Sequence, residues 1–154
     1  MKISDILNVN SIKVNIHVDN KDDLLEIMVF LAEKSGKIID RDEAKHEVFE
    51  REKIMSTGVG KGIALPHAKT NAITDTVGAL VTLSEPVDYD ALDNKPVNIV
   101  FLLLGLESNV GNHLILLSKI SRLMNNDSFR GQLLECKKSD EVIELFNKYE
   151  SDNN

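Results

Sequence analysis

From Ile12 onward apolar and polar residues alternate, with Ile12, Val14, Ile16 and Val18 on one side and Lys13, Asn15 and His17 on the other. A period of two predicts a strand buried on one face, with His17 on the polar face. Upstream, Ser4 is placed to cap a short helix over residues 5–7. Downstream the period changes, because Leu24, Ile27, Met28, Leu31 and Ala32 recur at helical spacing. A helix capped by Asp19 or Asn20 and ended by Gly36 is expected. Asp40 followed by Glu43 is a capping-box pattern, which opens a second helix running to about Lys53. Its inward residues are Ala44, Val48 and Phe49, with His46, Glu47 and Glu50 outward.

The glycines at 58, 60 and 62 break any helix, and Pro66 biases Leu65 toward extended backbone. That predicts a loop packed close to the next element, with His67 on it rather than in a core stripe. Val77 to Ser84 reads as a strand and residues 85–88 as its turn, while Val97 to Leu104, apolar on both faces, reads as a central strand. Asn112 is the candidate cap of a helix over His113 to Met124, with Leu114, Leu117, Ile120, Ser121 and Met124 buried. Residues 129–134 and 140–149 supply two more helices. The order is that of a single-domain α/β (α+β) sandwich, a mixed β-sheet flanked by helices, over residues 1–149. The composition of residues 150–154 suits a disordered C-terminal tail.

A chain of 154 residues can bury one core, and 42% hydrophobic residues with 5% aromatic and no Trp make that core aliphatic. The net charge of −7 argues against a nucleic-acid surface, which needs a concentrated cationic face. The longest apolar run, Ile99 to Leu104, falls far short of the roughly 20 residues of a membrane-spanning helix. Cys136 is the one cysteine, and no export signal precedes Ser4-Asp5, so a reducing, cytoplasmic setting is expected.

The chemistry concentrates around Ser56-Thr57-Gly58-Val59-Gly60-Lys61-Gly62-Ile63-Ala64-Leu65-Pro66-His67. Alone, a Pro-His pair is usually a surface accident and Arg51 a solvated helix end. Together they offer a neutral imidazole that can attack a phosphoryl group, with a guanidinium, the Thr57 hydroxyl and backbone N–H groups to neutralise it. His113, at the start of a predicted helix, is expected to stay neutral beside the helix dipole and donate a hydrogen bond to a phosphoryl oxygen. The glycine segment lacks the Gly-Lys-Ser/Thr ending of a nucleotide-binding loop, so ATP is not the expected donor. His17, His46, His67 and His113 lack the short spacings of zinc ligands, so neither metal nor cofactor is expected. Two other classes stay open: a non-catalytic anion- or partner-binding module, and a metal-dependent hydrolase built on His67 and His113.

At these residues the chain resembles the enzyme IIA family of the bacterial phosphoenolpyruvate-dependent phosphotransferase system, in its fructose, mannitol and nitrogen-regulatory branch. The likeness runs over residues 3–147 and is carried by Arg51-Glu52, Ser56-Thr57-Gly58, Gly60, Gly62 to His67, Asp90 to Val97, His113-Leu114 and Leu117-Ser118. The resemblance implies that His67 accepts a phosphoryl group from the histidine-containing phosphocarrier protein and passes it to an enzyme IIB cysteine. Arg51, Thr57 and His113 would line that site. It also implies a mixed sheet flanked by helices, and no metal or nucleotide cofactor. The fructose-type role is the leading expectation, and a nitrogen-regulatory protein that reports its phosphorylation state to a kinase or transporter is the alternative. No direct membrane insertion is expected. A relay that meets two partners needs small, transient interfaces, for which Val59, Ile63 and Leu65 are the candidate apolar contacts.

Overall fold

Asn20 accepts the backbone N–H of Asp23 to start α1 (Lys21–Glu33), and Asp40 accepts that of Glu43 to start α2 (Arg41–Ile54). Each side chain satisfies a donor that a first helical turn leaves open. Gly36, at φ 75°, supplies the left-handed turn after α1. In the computed structural model, which describes residues 1–152, both helices pack on one face of a mixed six-stranded sheet. Its strands are β1 (Ile12–Ile16), β2 (Gly58–Gly60), β3 (Ile63–Ala64), β4 (His67–Thr70), β5 (Val77–Val87) and β6 (Val97–Leu106). The order is β1-β5-β6-β3-β2, with β4 also paired to β6. β1 runs parallel to β5, β5 antiparallel to β6, and β3 and β4 parallel to β6.

The apolar run of β6 has a direct reason. Ile99, Phe101 and Leu103 face one core with Leu116, Ile120, Phe129 and Phe146, while Val100, Leu102 and Leu104 face the other with Leu24, Met28 and Val48. Helices α3 (Val110–Met124), α4 (Asp127–Glu135) and α5 (Ser139–Asp152) cover the first side. Both faces of the strand are therefore dry, as the two-sided pattern requires. Among the described residues, no helix is long and apolar enough to cross a membrane.

The expected α/β sandwich is the observed fold, with several local corrections. A 3-10 turn over Ile3–Ile6, entered from Lys2, replaces the helix expected at residues 5–7 behind Ser4. β5 continues through Val87, which pairs with Val97 across an irregularity in register, so residues 85–87 are strand rather than turn. α3 begins one turn early, capped by Asn109, which accepts the N–H of Asn112. Its buried stripe is consequently His113, Leu116, Ile120, Leu123 and Met124, with Leu114 on the outside. α5 runs on past residue 149, and Glu150, assigned above to a tail, accepts the N–H groups of Ile3 and Ser4 at 2.7 and 3.0 Å. The rest of the expected tail, Asn153 and Asn154, lies outside the described residues.

Candidate functional site

Ile63 pairs with Ile99, Ala64 with Val100 and His67 with Leu103, one constant register along β6. β3 and β4 are thus one line of strand, interrupted only at Leu65-Pro66. Pro66 has no N–H to give to the ladder, and the Leu65 N–H turns away to the Thr57 carbonyl at 2.9 Å. His67 therefore resumes a strand, where a loop was expected. The interruption leaves the Leu65 carbonyl to accept a hydrogen bond from Nδ1 of His67 at 2.8 Å. A carbonyl can only accept, so Nδ1 carries the ring proton and Nε2 keeps its lone pair. Burial, the largest influence, holds the His67 pKa below its ordinary value, so the ring is neutral at pH 7.

His113 sits beside it, with ring centroids 5.8 Å apart. The side chain is buried against the backbone of Gly105 on β6, so closely that a Cβ there would lie 2.2 Å from His113 Nδ1. Only glycine admits that seat. The seat leaves Nδ1 sealed and without a partner, so Nε2 is the nitrogen available to a ligand. The His113 pKa is pushed down to about 4, chiefly by burial and then by His67 and Lys69. The neutral state expected from the sequence is present, but desolvation rather than a helix end is its main cause, since His113 is the fourth residue of α3 and not the first.

Both rings line a cleft of about 630 Å3 together with Arg51, Ile54, Lys69, Val110, Leu114 and other residues. Arg51 donates from Nη1 to the Met55 carbonyl at 2.9 Å, which fixes its guanidinium at the end of α2. Lys69 lies two residues beyond His67 and so on the same face of β4. Two cations and two neutral imidazoles suit a phosphoryl group. The cleft wall also carries Glu47, Glu50 and Glu107, but no three His, Cys, Asp or Glu side chains gather as metal ligands among the described residues.

Thr57 does not join them. It is buried, and its hydroxyl donates to Glu52 Oε1 at 2.5 Å while its N–H donates to Glu52 Oε2 at 2.8 Å. Ile63 and Leu65 are likewise interior, at 1% and 4% exposure, because both point from the strand line into the core. Of the three expected contact residues only Val59, 53% exposed, is on the surface.

Residues 5–149 match the family model described as phosphoenolpyruvate-dependent sugar phosphotransferase system, EIIA 2. The chain belongs to that family. It is 37% identical over 150 residues to the PTS system fructose-specific EIIABC component of Bacillus subtilis, covering 97% of this chain but 24% of that protein. It is 36% identical over 125 residues to the fructose-specific EIIA component of Haloferax volcanii, covering 81% of each. The crystal structure of the nitrogen regulatory protein IIA-Ntr from Neisseria meningitidis superposes with a TM-score of 0.87 at 33% identity, covering 94% of this chain and 98% of that one.

Within this EIIA domain, three features in or beside the cleft escaped the sequence reading. Lys69 was hidden by the expectation of a loop at His67, and only on a strand does a residue two positions further share its face. Glu52 stands inside the Arg51-Glu52 motif but reads as a solvated helix residue until its partners are known. Gly105 follows a long apolar run, and nothing local shows that a histidine eight residues later lies upon it.

Proposed function

We propose that this EIIA domain is a phosphocarrier whose His67 Nε2 takes a phosphoryl group from the histidine-containing phosphocarrier protein and gives it to an enzyme IIB cysteine, most simply in fructose uptake. The observation that carries this reading is the hydrogen bond from His67 Nδ1 to the Leu65 carbonyl. It leaves one nitrogen with a free lone pair in a cleft that also holds Arg51, Lys69 and His113. As Nε2 attacks phosphorus, the donor's P–N bond breaks and its electron pair returns to the donor imidazole. The Nδ1–H stays on the Leu65 carbonyl, which stabilises the positive charge the ring gains. Arg51 and the His113 Nε2–H meet the equatorial oxygens, where charge spreads in the transition state. Onward transfer reverses the geometry, with a thiolate attacking phosphorus and the N–P bond breaking.

Ile54 and Leu114, 80% and 59% exposed, flank the cleft with Val110 and replace Ile63 and Leu65 as the apolar docking contacts. The likeness to IIA-Ntr supports a second reading, in which the phosphorylation state is itself the signal to a kinase or transporter. Both share the first step, and intact mass tests it after incubation with phosphoenolpyruvate, enzyme I and the phosphocarrier protein. One acid-labile phosphoryl group is expected, abolished in His67→Ala and slowed in His113→Ala. No mass gain in the unmodified chain returns the anion-binding reading to first place.

A further inference from the structure

Glu52 is a carboxylate with 5% of its side chain exposed, and every one of its bonds leads somewhere. Oε1 accepts from the hydroxyls of Thr57 and Tyr89, at 2.5 and 3.1 Å. Oε2 accepts from the Thr57 N–H at 2.8 Å and pairs with Lys21 Nζ at 3.0 Å. Lys21 also lies 4.5 Å from the centroid of the Tyr89 ring, so α1, α2 and the chain before β6 meet at one anion. A buried charge with four donors is fully compensated and is held rigidly, which water-exposed carboxylates are not.

Its hold extends to the nucleophile. The Thr57 carbonyl accepts from the Leu65 N–H at 2.9 Å, and the Leu65 carbonyl accepts from His67 Nδ1 at 2.8 Å. Gly58, next in the chain, has no slack, since a Cβ there would lie 2.8 Å from the backbone of Ala91. Thr57 cannot move without moving Leu65, and Leu65 cannot move without releasing the imidazole. Beside this, the Glu52 charge favours protonation of His67, against Arg51 on α2 and Lys69 on β4, which oppose it. The carboxylates Glu47, Glu50 and Glu107 line the same cleft as His67 and His113.

We propose that Glu52 is a positioning residue for His67: anchored by Lys21 and Tyr89, it fixes Thr57, which fixes Leu65, whose carbonyl sets the tautomer and aim of the imidazole. The same buried carboxylate offsets the positive charge that the ring acquires when Nε2 is phosphorylated. Glu52 touches neither donor nor phosphoryl group, and its role in transfer rests on the phosphocarrier reading above. Its effect on the His67 ring does not.

The experiment is 15N NMR of the histidine rings in the unmodified chain and in Glu52→Gln, read beside phosphorylation kinetics. A carboxamide keeps the size of Glu52 but loses its charge and leaves Lys21 unpaired. The unmodified chain is expected to show His67 as the Nδ1–H tautomer. Glu52→Gln is expected to lower the His67 titration midpoint and to slow phosphoryl uptake tenfold or more, with KM for the phosphocarrier protein little changed. If Glu52→Gln does not fold, Thr57→Val takes its place, with recovery in Thr57→Ser as the expected result. A folded variant whose His67 tautomer, midpoint and rate all match the unmodified chain overturns the proposal, as does a His67 that is not protonated at Nδ1. A shifted midpoint in a chain that takes up no phosphoryl group upholds the clamp and refutes the phosphocarrier reading instead.

Discussion

Gly105 and His113 form a pair in which one residue's lack of a side chain gives the other its place. Alanine at 105 would put a Cβ 2.2 Å from His113 Nδ1, so the ring must leave its seat while the His67 bond to Leu65, on another strand, is untouched. Gly105→Ala is therefore expected to slow phosphoryl uptake about a hundredfold, the scale of losing one preorganised donor. Mass-resolved time courses check this, and NMR should show the His67 tautomer unchanged. His67, Arg51 and His113 were singled out in the sequence as a set, because a nucleophilic imidazole, a guanidinium and a second imidazole together suit a phosphoryl group, and the three do line one cleft. Thr57 was misplaced for the opposite reason. A hydroxyl beside glycines looks like an anion donor, and only the fold shows a buried Glu52 claiming it first.

At the scale of elements, the strands and helices with a strong period were readable, and their ends were not. α3 was expected over His113 to Met124 behind an Asn112 cap, and two residues of weak helix propensity, Val110 and Gly111, hid its first turn. Asn109 makes the cap nonetheless, since the first turn loses little by holding a glycine where its donors need a side-chain acceptor. Asn109→Ala is expected to cost about 1 kcal/mol of stability, the usual loss for a cap of this kind, measured as a lower urea midpoint. His113 rides on that first turn, so uptake should slow in the same variant while His67 keeps its tautomer. The strand line of β3 and β4 was read as a loop because proline and glycine punctuate it. The constant register along β6 is a property of pairing and has no trace in local composition.

For the whole molecule, the one core expected from chain length is divided by the sheet into two, as the unbroken apolar pattern of β6 requires, whereas the convergence of α2, β4 and α3 on one cleft depends on strand order. That convergence has a cost in acid. Unfolded histidine protonates near pH 6.5, but His113 in the fold protonates only near pH 4, so between those values the unfolded chain binds more protons. Stability is expected to fall as pH drops through this window and to be fully recovered above it. Urea midpoints from pH 7 to 4.5 should decline less steeply in His113→Gln than in the unmodified chain.

The Leu65 carbonyl that occupies Nδ1 of His67 also restricts how the proposed phosphocarrier can be used. With one ring nitrogen engaged, the imidazole has a single line of approach, and whatever delivers a phosphoryl group and whatever removes it must stand in the same place. On the proposed phosphocarrier reading, donor and acceptor are expected to exclude one another. A phosphocarrier of the kind proposed is therefore expected to work as a shuttle in strict alternation, with an excess of either partner in its spent form slowing traffic by holding the shared landing site.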